Sequence, residues 1–301
     1  MAMIPAPCSW EIILKSWGMI ADTQRRWLKR LAKLAVVSVA LLLMLRWFEH
    51  KQTYHPSHSF HLTGDELGRA WEDVYFSTSD GLRLNAWFFP ANANSPRRHL
   101  AVIVCHGNGG NISHRLGLYD ALLHAGVNVL AFDYRGYGRS QGRPNEEGTY
   151  RDAQAAFAWL GQQGYAGTNI VVYGESLGGG IASELAVREP VGGLILQSTF
   201  TSVTDLGAEL FPLLPVRTLG SIRYDTRSRL PNIRVPALIL HSRSDRLIPF
   251  HHAERNFAVA NEPKRLVEIT GDHNDGVAET PAFAQAMEIY LDAMRSNGAA
   301  R

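Results

Sequence analysis

Short apolar runs alternate with amphipathic stretches over most of the chain after residue 70. The runs predict strands at His99–Cys105, Val127–Phe132, Ile170–Tyr173, Gly193–Leu196, Ala237–Leu240 and Leu266–Ile269. The stretches between them predict helices at Ser113–His124, Thr149–Gln162, Leu177–Arg188, His251–Val259 and Pro281–Met294. Continuous apolar strands that alternate with helices indicate a mostly parallel sheet that is covered by helices on both faces.

Two segments do not follow this alternation of parallel strands and helices. At the start, Asp73–Thr78 and Leu82–Phe89 flank an Asp-Gly turn, which predicts an antiparallel hairpin. Later, residues 201–232 contain several prolines and no strand pattern, and an insertion at that point predicts a short cap over an active site. We therefore expect one α/β domain over residues 71–296, with the cap at about 201–232.

An apolar segment near the N-terminus predicts a transmembrane helix over residues 31–48. Residues 34–45 carry no charge, and the whole segment would extend about 27 Å, close to the thickness of the hydrocarbon core. Trp27 and Trp47 stand where interfacial aromatic residues belong. A cleaved signal peptide and a buried or interfacial helix of a soluble enzyme are the alternatives. Residues 46–50 lack the small side chains of a cleavage site, so we favour an uncleaved signal anchor.

The residues on either side of this helix suggest its orientation. Basic side chains crowd the N-terminal side: Arg25, Arg26, Lys29, Arg30 and Lys33. This bias predicts that residues 1–30 lie in the cytoplasm and the catalytic domain on the far side of the membrane. Met19 opens a stretch that is typical of a translation start, so Met1 and Met19 are both candidate initiation sites.

Residues 49–70 are polar and contain His50, His55, His58 and His61. We expect a solvated stalk. A metal site is the alternative, but it would need ligands that a strand or helix holds in place.

Composition narrows the class of protein. The chain has 301 residues, enough for one α/β domain of roughly 230 to 250 residues and an appendage. The formal net charge of +2 is too small to indicate a nucleic-acid partner. The two cysteines, Cys8 and Cys105, cannot form a disulfide framework. The oligomeric state stays open.

The segment from Gly174 to Gly178 matches the pattern G-x-S-x-G, with Ser176 at its centre. A predicted strand ends directly before it and a predicted helix begins directly after it, as a nucleophile elbow requires. The glycines allow close approach of neighbouring elements because they carry no Cβ. Ser176 is therefore the candidate nucleophile, and a structural glycine-rich turn is the alternative.

A second glycine-rich loop, His106-Gly107-Asn108-Gly109-Gly110-Asn111, follows a predicted strand. It satisfies neither the dinucleotide fingerprint nor the P-loop pattern. Acyl transfer needs two N–H donors for a developing oxyanion, and we predict the backbones of Asn108 and Leu177. His106 would orient the loop. No cofactor and no metal ion are expected.

A serine nucleophile needs a histidine base that a carboxylate orients. In this fold the order along the chain is serine, acid, histidine. His273 lies in residues 271–276, a loop after the last predicted strand, and Asp245 follows an earlier strand. The alternatives that we consider less fitting are His241, for which a structural role is expected, His251 and His252, which are expected at the surface, and Asp205, Asp225 and Asp272.

Taken together, these motifs resemble the α/β hydrolases with a serine-aminopeptidase-like domain. The chain is similar in particular to single-anchor membrane hydrolases that include animal protein depalmitoylases. The matching stretches are WEDVYFSTSDGLRLNAWFF at 71–89, HGNGGNISHRL at 106–116, DYRGYGRSQGRP at 133–144, GESLGGG at 174–180, PALILHSRSDRLIPF at 236–250 and GDHND at 271–275. The resemblance implies a Ser176–Asp245–His273 triad and hydrolysis without a cofactor. Ser242 departs from the pattern, since relatives usually carry glycine there.

We expect a serine hydrolase that cleaves carboxylic esters or thioesters of small or lipid-like acyl groups through an acyl-enzyme. A serine aminopeptidase or amidase is the second reading, but it would need an acidic pocket for a free amine, and residues 201–232 offer no acidic cluster. A non-catalytic binding protein of the same fold is the third. The chain length of the acyl group and the nature of the leaving group stay open.

Overall fold

The computed structural model describes residues 9–275 and 280–298. Met1, Cys8 and Gly276 lie outside the described residues. The chain divides into two compact units, one that ends at Lys51 and one that begins at Gln52.

The first unit is most of one long helix, α1 (Ser9–Thr53). Its part from Gln24 to Thr53 is long and apolar enough to cross a membrane, with a mean hydropathy of 2.0 in its most apolar window. None of that window is buried. The exposed apolar surface is typical of a membrane span or a signal sequence and not of a core helix. The predicted span 31–48 lies inside this candidate.

The second unit is built on a mostly parallel sheet. The described residues form the strands β1 (His55–Pro56), β2 (Glu72–Ser77), β3 (Arg83–Phe89), β4 (Ala101–Cys105), β5 (Gly109–Gly110), β6 (Asn128–Phe132), β7 (Ile170–Glu175), β8 (Gly193–Gln197), β9 (Ala237–Ser242) and β10 (Lys264–Ile269). Eight of them form one sheet in the order β10-β9-β8-β7-β4-β6-β3-β2. Only β3 runs antiparallel to its neighbours in this sheet. β1 and β5 form a separate parallel pair.

Helices cover both faces of the sheet. They are α2 (Leu116–His124), α3 (Glu146–Gln162), α4 (Leu177–Arg188), α5 (Val203–Leu210), α6 (Val216–Leu219), α7 (Thr226–Arg229), α8 (His251–Val259) and α9 (Pro281–Gly298). Successive side chains of a strand point to opposite faces. Ile103 of β4 therefore packs into the core beneath α3, α4 and α8, whereas Val104 packs into the core beneath α2 and α9.

The predicted fold class is confirmed, and the strands and helices shift by only a few residues at their ends. One of these differences concerns the start of the predicted helix at Ser113. A 3-10 turn (Ile112–His114) with Asn111 as its cap comes first, and α2 starts only at Leu116. In addition, α3 begins at Glu146 because the side chain of Asn145 accepts the N–H of Gly148.

The expectation of a solvated stalk over residues 49–70 is wrong for its middle part. α1 continues to Thr53, Tyr54 is only 3% exposed, and β1 pairs with β5. The polar composition was misleading because this segment attaches through one buried aromatic ring and through its backbone. Backbone hydrogen bonds need no apolar side chains and leave no hydropathy pattern.

The predicted insertion at 201–232 lies between β8 and β9. Its described residues form α5, α6, α7 and a 3-10 turn, without a strand. Leu213, between α5 and α6, is 96% exposed.

Candidate active site

Ser176 occupies a sharp turn between β7 and α4. Its φ of 53° and ψ of −115° lie in a region that non-glycine residues rarely adopt. Two hydrogen bonds to neighbouring residues stabilise the turn: Ser176 N–H donates to Gln197 O at 2.9 Å, and Thr199 Oγ1 donates to Ser176 O at 2.7 Å. A Cβ at Gly178 would overlap the carbonyl of Cys105, so the close approach of α4 to β4 requires glycine there.

A continuous line of polar contacts leads away from the Ser176 hydroxyl. His273 Nε2 lies 3.1 Å from Ser176 Oγ, and His273 Nδ1 lies 2.8 Å from Asp245 Oδ2. An ionised Asp245 can only accept, so Nδ1 carries a proton and Nε2 of a neutral ring presents its lone pair to the serine hydroxyl. The structure thus brings together Ser176, Asp245 and His273, which the sequence places far apart.

The loop after β9 holds the Asp245 carboxylate. Its Oδ1 accepts the N–H groups of Leu247 at 3.0 Å and Ile248 at 2.8 Å, and the residue is 5% exposed. His241 has the structural role that the sequence analysis expects, since its Nε2 donates to Ile248 O at 2.7 Å. Asp272 is not part of this line of contacts. Its carboxylate accepts hydrogen bonds from the backbone N–H and the guanidinium of Arg246, and these lower the pKa of Asp272 to about 2.

The backbone N–H groups of Leu177 and Asn108, predicted as oxyanion donors, have no hydrogen-bond acceptor among the described residues. Leu177 is the first residue of α4, where the N–H has no intrahelical acceptor. Within the described part of the chain, no protein acceptor takes the N–H of Asn108 either. The carbonyl before Asn108, Gly107 O, accepts from His106 Nδ1 at 2.7 Å, so His106 does contact the loop that it was expected to orient.

His106 in turn contacts a buried acid. Its Nε2 lies 3.4 Å from Asp133 Oδ1, and both side chains are fully buried. Burial raises the pKa of Asp133, and His106 opposes that shift. The turn 133–138 therefore packs against the glycine-rich loop 106–111, and Tyr137 Oη donates to Asn108 O at 2.8 Å.

An ion pair beside the serine was not foreseen from the sequence. Arg115 Nε lies 3.2 Å from Glu175 Oε2, and Arg115 Nη1 donates to Gly109 O at 2.8 Å. Burial disfavours the ionised Glu175, but Arg115 outweighs this, and the pKa of Glu175 lies below its usual range. An acidic residue directly before a buried serine could have signalled the need for a nearby cation.

A cavity of about 530 Å³ opens at Ser176. Its described lining is mainly glycine and polar side chains, namely Gly107, Asn108, Gly109, Gly110, His114, Arg115, Gly117, Leu118, Glu175, Gln197, His273, Asn274 and Asp275. No described residue of the predicted cap, 201–232, lines it. The described part of 201–232 therefore does not line this cavity: α7 packs against α4 and α8, and α5 and α6 pack against each other.

A cluster of Glu209, His251 and His252 brings ligand-type atoms within 4.8 Å of one another. The expected surface position of His252 is wrong, since its side chain is fully buried. Its Nδ1 accepts the N–H of Thr201 at 3.1 Å, so a neutral ring carries its proton on Nε2, 3.4 Å from Glu209 Oε2. In this tautomer His252 presents a proton and not a lone pair to Glu209, which disfavours a metal site at this cluster.

A strained serine between a strand and a helix, on a sheet of this topology, defines an α/β hydrolase. The chain belongs to the α/β-hydrolase fold family, whose model matches residues 101–215. It is 40% identical over 276 residues to the uncharacterized protein Rv2307c of Mycobacterium tuberculosis, and the match covers 89% of this chain and 95% of that protein. It is 33% identical over 268 residues to the α/β hydrolase domain-containing protein WAV2 of Arabidopsis thaliana, covering 80% of this chain and 85% of that protein.

Two further comparisons concern proteins with a named activity. The chain is 33% identical over 196 residues to the mouse lysophosphatidylserine lipase ABHD12, covering 58% of this chain and 48% of that protein. Among solved structures, the Pyrococcus furiosus esterase Pf2001 superposes with a TM-score of 0.63 at 21% identity, covering 81% of this chain and 97% of the other. At that identity the likeness shows the fold alone.

Proposed function

We propose that this α/β hydrolase is a serine hydrolase that cleaves carboxylic esters or thioesters through an acyl-enzyme on Ser176. The observation that carries the proposal is the line of contacts from Ser176 Oγ through His273 to Asp245, at 3.1 and 2.8 Å. A lipase among the relatives supports the same class of reaction.

In the proposed mechanism, His273 Nε2 takes the hydroxyl proton as Ser176 Oγ attacks the acyl carbon. Asp245 keeps the proton on Nδ1 and stabilises the imidazolium that forms. The N–H groups of Asn108 and Leu177 bind the oxyanion of the tetrahedral intermediate. His273 then protonates the leaving alcohol or thiol. Water next gives a proton to His273 Nε2 and attacks the acyl carbon, and His273 returns that proton to Ser176 Oγ as the carboxylic acid leaves.

The cavity favours short or polar acyl groups. Among its described lining residues, Leu118 is the only large aliphatic side chain, whereas long acyl chains bind to extended apolar surfaces. The Glu175 carboxylate does not offer a free anion for a substrate amine because Arg115 neutralises it. This pairing removes Glu175, but not Asp275, as a binding group for the free amine that the aminopeptidase reading requires.

The test is hydrolysis by the full-length protein in detergent. We would use p-nitrophenyl esters of increasing chain length, an acyl thioester and an aminoacyl anilide, with Ser176→Ala as the control variant. Turnover of short esters or thioesters that is lost in Ser176→Ala is the expected result. Cleavage of the anilide alone would support the peptidase, and a folded protein that neither hydrolyses these substrates nor reacts with a fluorophosphonate would support the binding protein.

We further propose that α1 anchors the protein in a membrane, with the N-terminus in the cytoplasm and the catalytic part on the far side. The positive charges before the apolar segment support this orientation. Protease digestion of sealed vesicles tests it: the catalytic part should be protected in cytoplasmic-side-out vesicles that contain the protein, and its digestion there would reverse the assignment.

A further inference from the structure

Residues 54–59, which follow α1 directly in the chain, form a strap against the loop that carries Asn108. The strap contains β1, which pairs in parallel with β5 of that loop. His55 N–H donates to Asn108 O at 3.0 Å, and Ser57 N–H donates to Gly110 O at 2.9 Å. These residues fall in the segment that was expected to be a solvated stalk, and the proposed mechanism does not require their contact with the loop.

The loop 107–111 needs such support because of its composition. Three of its five residues are glycines, and Gly110 has a φ of +84°. Glycine peptides rotate easily between conformations, and rotation of one peptide plane turns its N–H away from a substrate. An oxyanion hole works only if its donors are aimed before the reaction begins.

The two peptide planes that meet at Asn108 are each fixed through their carbonyl oxygens. His106 Nδ1 holds Gly107 O, while His55 N–H and Tyr137 Oη hold Asn108 O. In a planar trans peptide the N–H points opposite to the C=O. Holding Gly107 O therefore aims the Asn108 N–H away from His106, and holding Asn108 O prevents rotation about the next bonds.

The carbonyl oxygens of Gly109 and Gly110 also accept hydrogen bonds from neighbouring segments. Gly109 O accepts from Arg115 Nη1 at 2.8 Å, and Gly110 O accepts from Ser57 N–H. The loop also reaches back, because Asn111 Nδ2 donates to Ser57 O at 3.1 Å and to Ser59 O at 2.8 Å. The strap and the loop therefore hold each other at both ends of β5.

The strap itself is fixed to the catalytic part at two points. Tyr54 is 3% exposed, and its Oη lies 2.9 Å from Tyr224 Oη. Ser57 O also accepts Gly138 N–H at 3.0 Å, from the turn 133–138. Displacement of the strap would break these hydrogen bonds as well as those to the loop and would leave buried polar groups unpaired, which is unfavourable.

From these contacts we propose that the strap is a positioning element of the oxyanion hole. The backbone N–H groups of His55 and Ser57 keep the loop in the conformation that aims Asn108 N–H at the oxyanion. The inference rests on the proposed function and adds to it that the chain between α1 and the sheet is part of the catalytic apparatus.

Proline substitution in the full-length protein tests the role of each N–H, since proline has no backbone donor. We compare Ser57→Pro with Ser57→Ala and His55→Pro with His55→Ala. The alanine variants keep the N–H, so each proline variant should have a kcat on a short ester on the order of ten- to a hundredfold lower than its alanine partner. Leu62→Pro, in an exposed position just beyond the strap, controls for the effect of proline itself.

Two readouts separate positioning of the loop from general damage. KM should change much less than kcat, and the pH–rate profile should keep its shape because His273 and Asp245 are untouched. The inhibition constant of a trifluoromethyl ketone, whose adduct carries an oxyanion, should rise by the same factor by which kcat/KM falls. Proline variants that match their alanine partners in kcat and in this inhibition constant would overturn the proposal.

A variant on the loop side keeps the test decisive if the proline variants do not fold. Asn111→Ser retains a hydroxyl that can cap the 3-10 turn but loses both donors to the strap. It should show the same loss in kcat and in binding of the trifluoromethyl ketone, and wild-type values would contradict the strap's role. Hydrolysis that survives in Ser176→Ala would instead overturn the proposed function, so the two failures are distinguishable.

Discussion

At the scale of single residues, the site depends on groups whose state is set by one neighbour. Asp245 faces His273 with one oxygen and two backbone N–H groups with the other. Glu175 faces Arg115. In each case the partner decides which chemical form the group takes, so substitution of one residue changes the state of the other.

Asp245→Asn should lower kcat on a short ester by about ten-thousandfold, because an amide no longer enforces the Nδ1–H tautomer of His273. Steady-state kinetics measure the loss, and circular dichroism checks that the variant is folded. Asp225→Asn is the matched control, since Asp225 caps α7 and asparagine can do the same. Equal activity of Asp245→Asn and wild type would remove Asp245 from the triad.

Arg115→Met should lower the free energy of unfolding by about 2 kcal/mol at neutral pH, because it leaves the largely buried Glu175 carboxylate, 22% exposed, without its cation. The pKa of Glu175, now below its usual range, should then rise above it. The destabilisation should therefore be complete at pH 7 and shrink as the pH falls through the range in which Glu175 becomes protonated. Urea unfolding at a series of pH values measures this.

The double variant Arg115→Met with Glu175→Gln provides the control for that prediction. It removes the buried charge together with its partner, so stability at pH 7 should partly return. A loss that is the same at every pH would show that Arg115 acts through packing and hydrogen bonds to the loop, not through the charge of Glu175.

At the scale of elements, one buried arginine links the helix α9 to the sheet and to α2 through polar contacts. Arg97, which lies just before β4 and is 8% exposed, pairs with Glu288 and Asp292 of α9. It also donates to Ala125 O, after α2, at 2.7 Å. One side chain thus ties the last helix to the sheet and to α2.

Arg97→Met should lower the free energy of unfolding by about 2 kcal/mol, since it leaves the buried carbonyl of Ala125 without this donor and removes two ion pairs. Chemical denaturation measures the change. Arg98→Met, at the exposed neighbouring position, should change stability by less than about 0.5 kcal/mol. Equal effects of the two variants would mean that α9 is held by its apolar face alone.

The elements that the sequence predicted well are those with a strong apolar signal. The buried strands, such as Ile170–Glu175, were located within two residues because every side chain in them contributes to the pattern. The strap was missed because β1 consists of His55 and Pro56, and its pairing with β5 uses only the backbone. A histidine-rich polar segment carries no sign of such pairing.

At the scale of the whole molecule, the helix α1 exposes a large apolar surface. Leu41, Leu42 and Leu43 are between 48% and 65% exposed. In water such a surface would drive association, whereas a bilayer would bury it. The proposal that α1 spans a membrane therefore makes a prediction for the full-length protein.

Leu42→Arg should weaken membrane insertion, because a charge near the centre of a spanning helix costs about 2.5–3.5 kcal/mol on insertion scales. Fractionation of membranes at alkaline pH should recover more of this variant in the supernatant than of the wild type. Val187→Arg, at an exposed apolar position on α4, is the matched control. Complete release of the wild type by the alkaline wash would contradict a spanning helix.

The candidate site was predictable where chain order and local motif coincide. Ser176, Asp245 and His273 follow from a strand-turn-helix pattern and from the order of acid and base, and the structure places them in contact. The pairing of Arg115 with Glu175 was not predictable, because the two residues lie 60 positions apart in the chain and neither belongs to a pattern of its own. The insertion at 201–232 does lie between β8 and β9, but its position relative to the cavity depends on packing that the sequence does not reveal.

The strap has backbone N–H donors at alternate positions, and this limits how its sequence can vary in evolution. His55 and Ser57 donate their N–H groups, and Pro56 stands between them at a position where a strand can do without one. Selection on this segment would therefore act on the main chain and leave most side chains free to drift, while excluding proline at 55 and 57 and any insertion that shifts the register. A search for invariant side chains would pass over a segment of this kind.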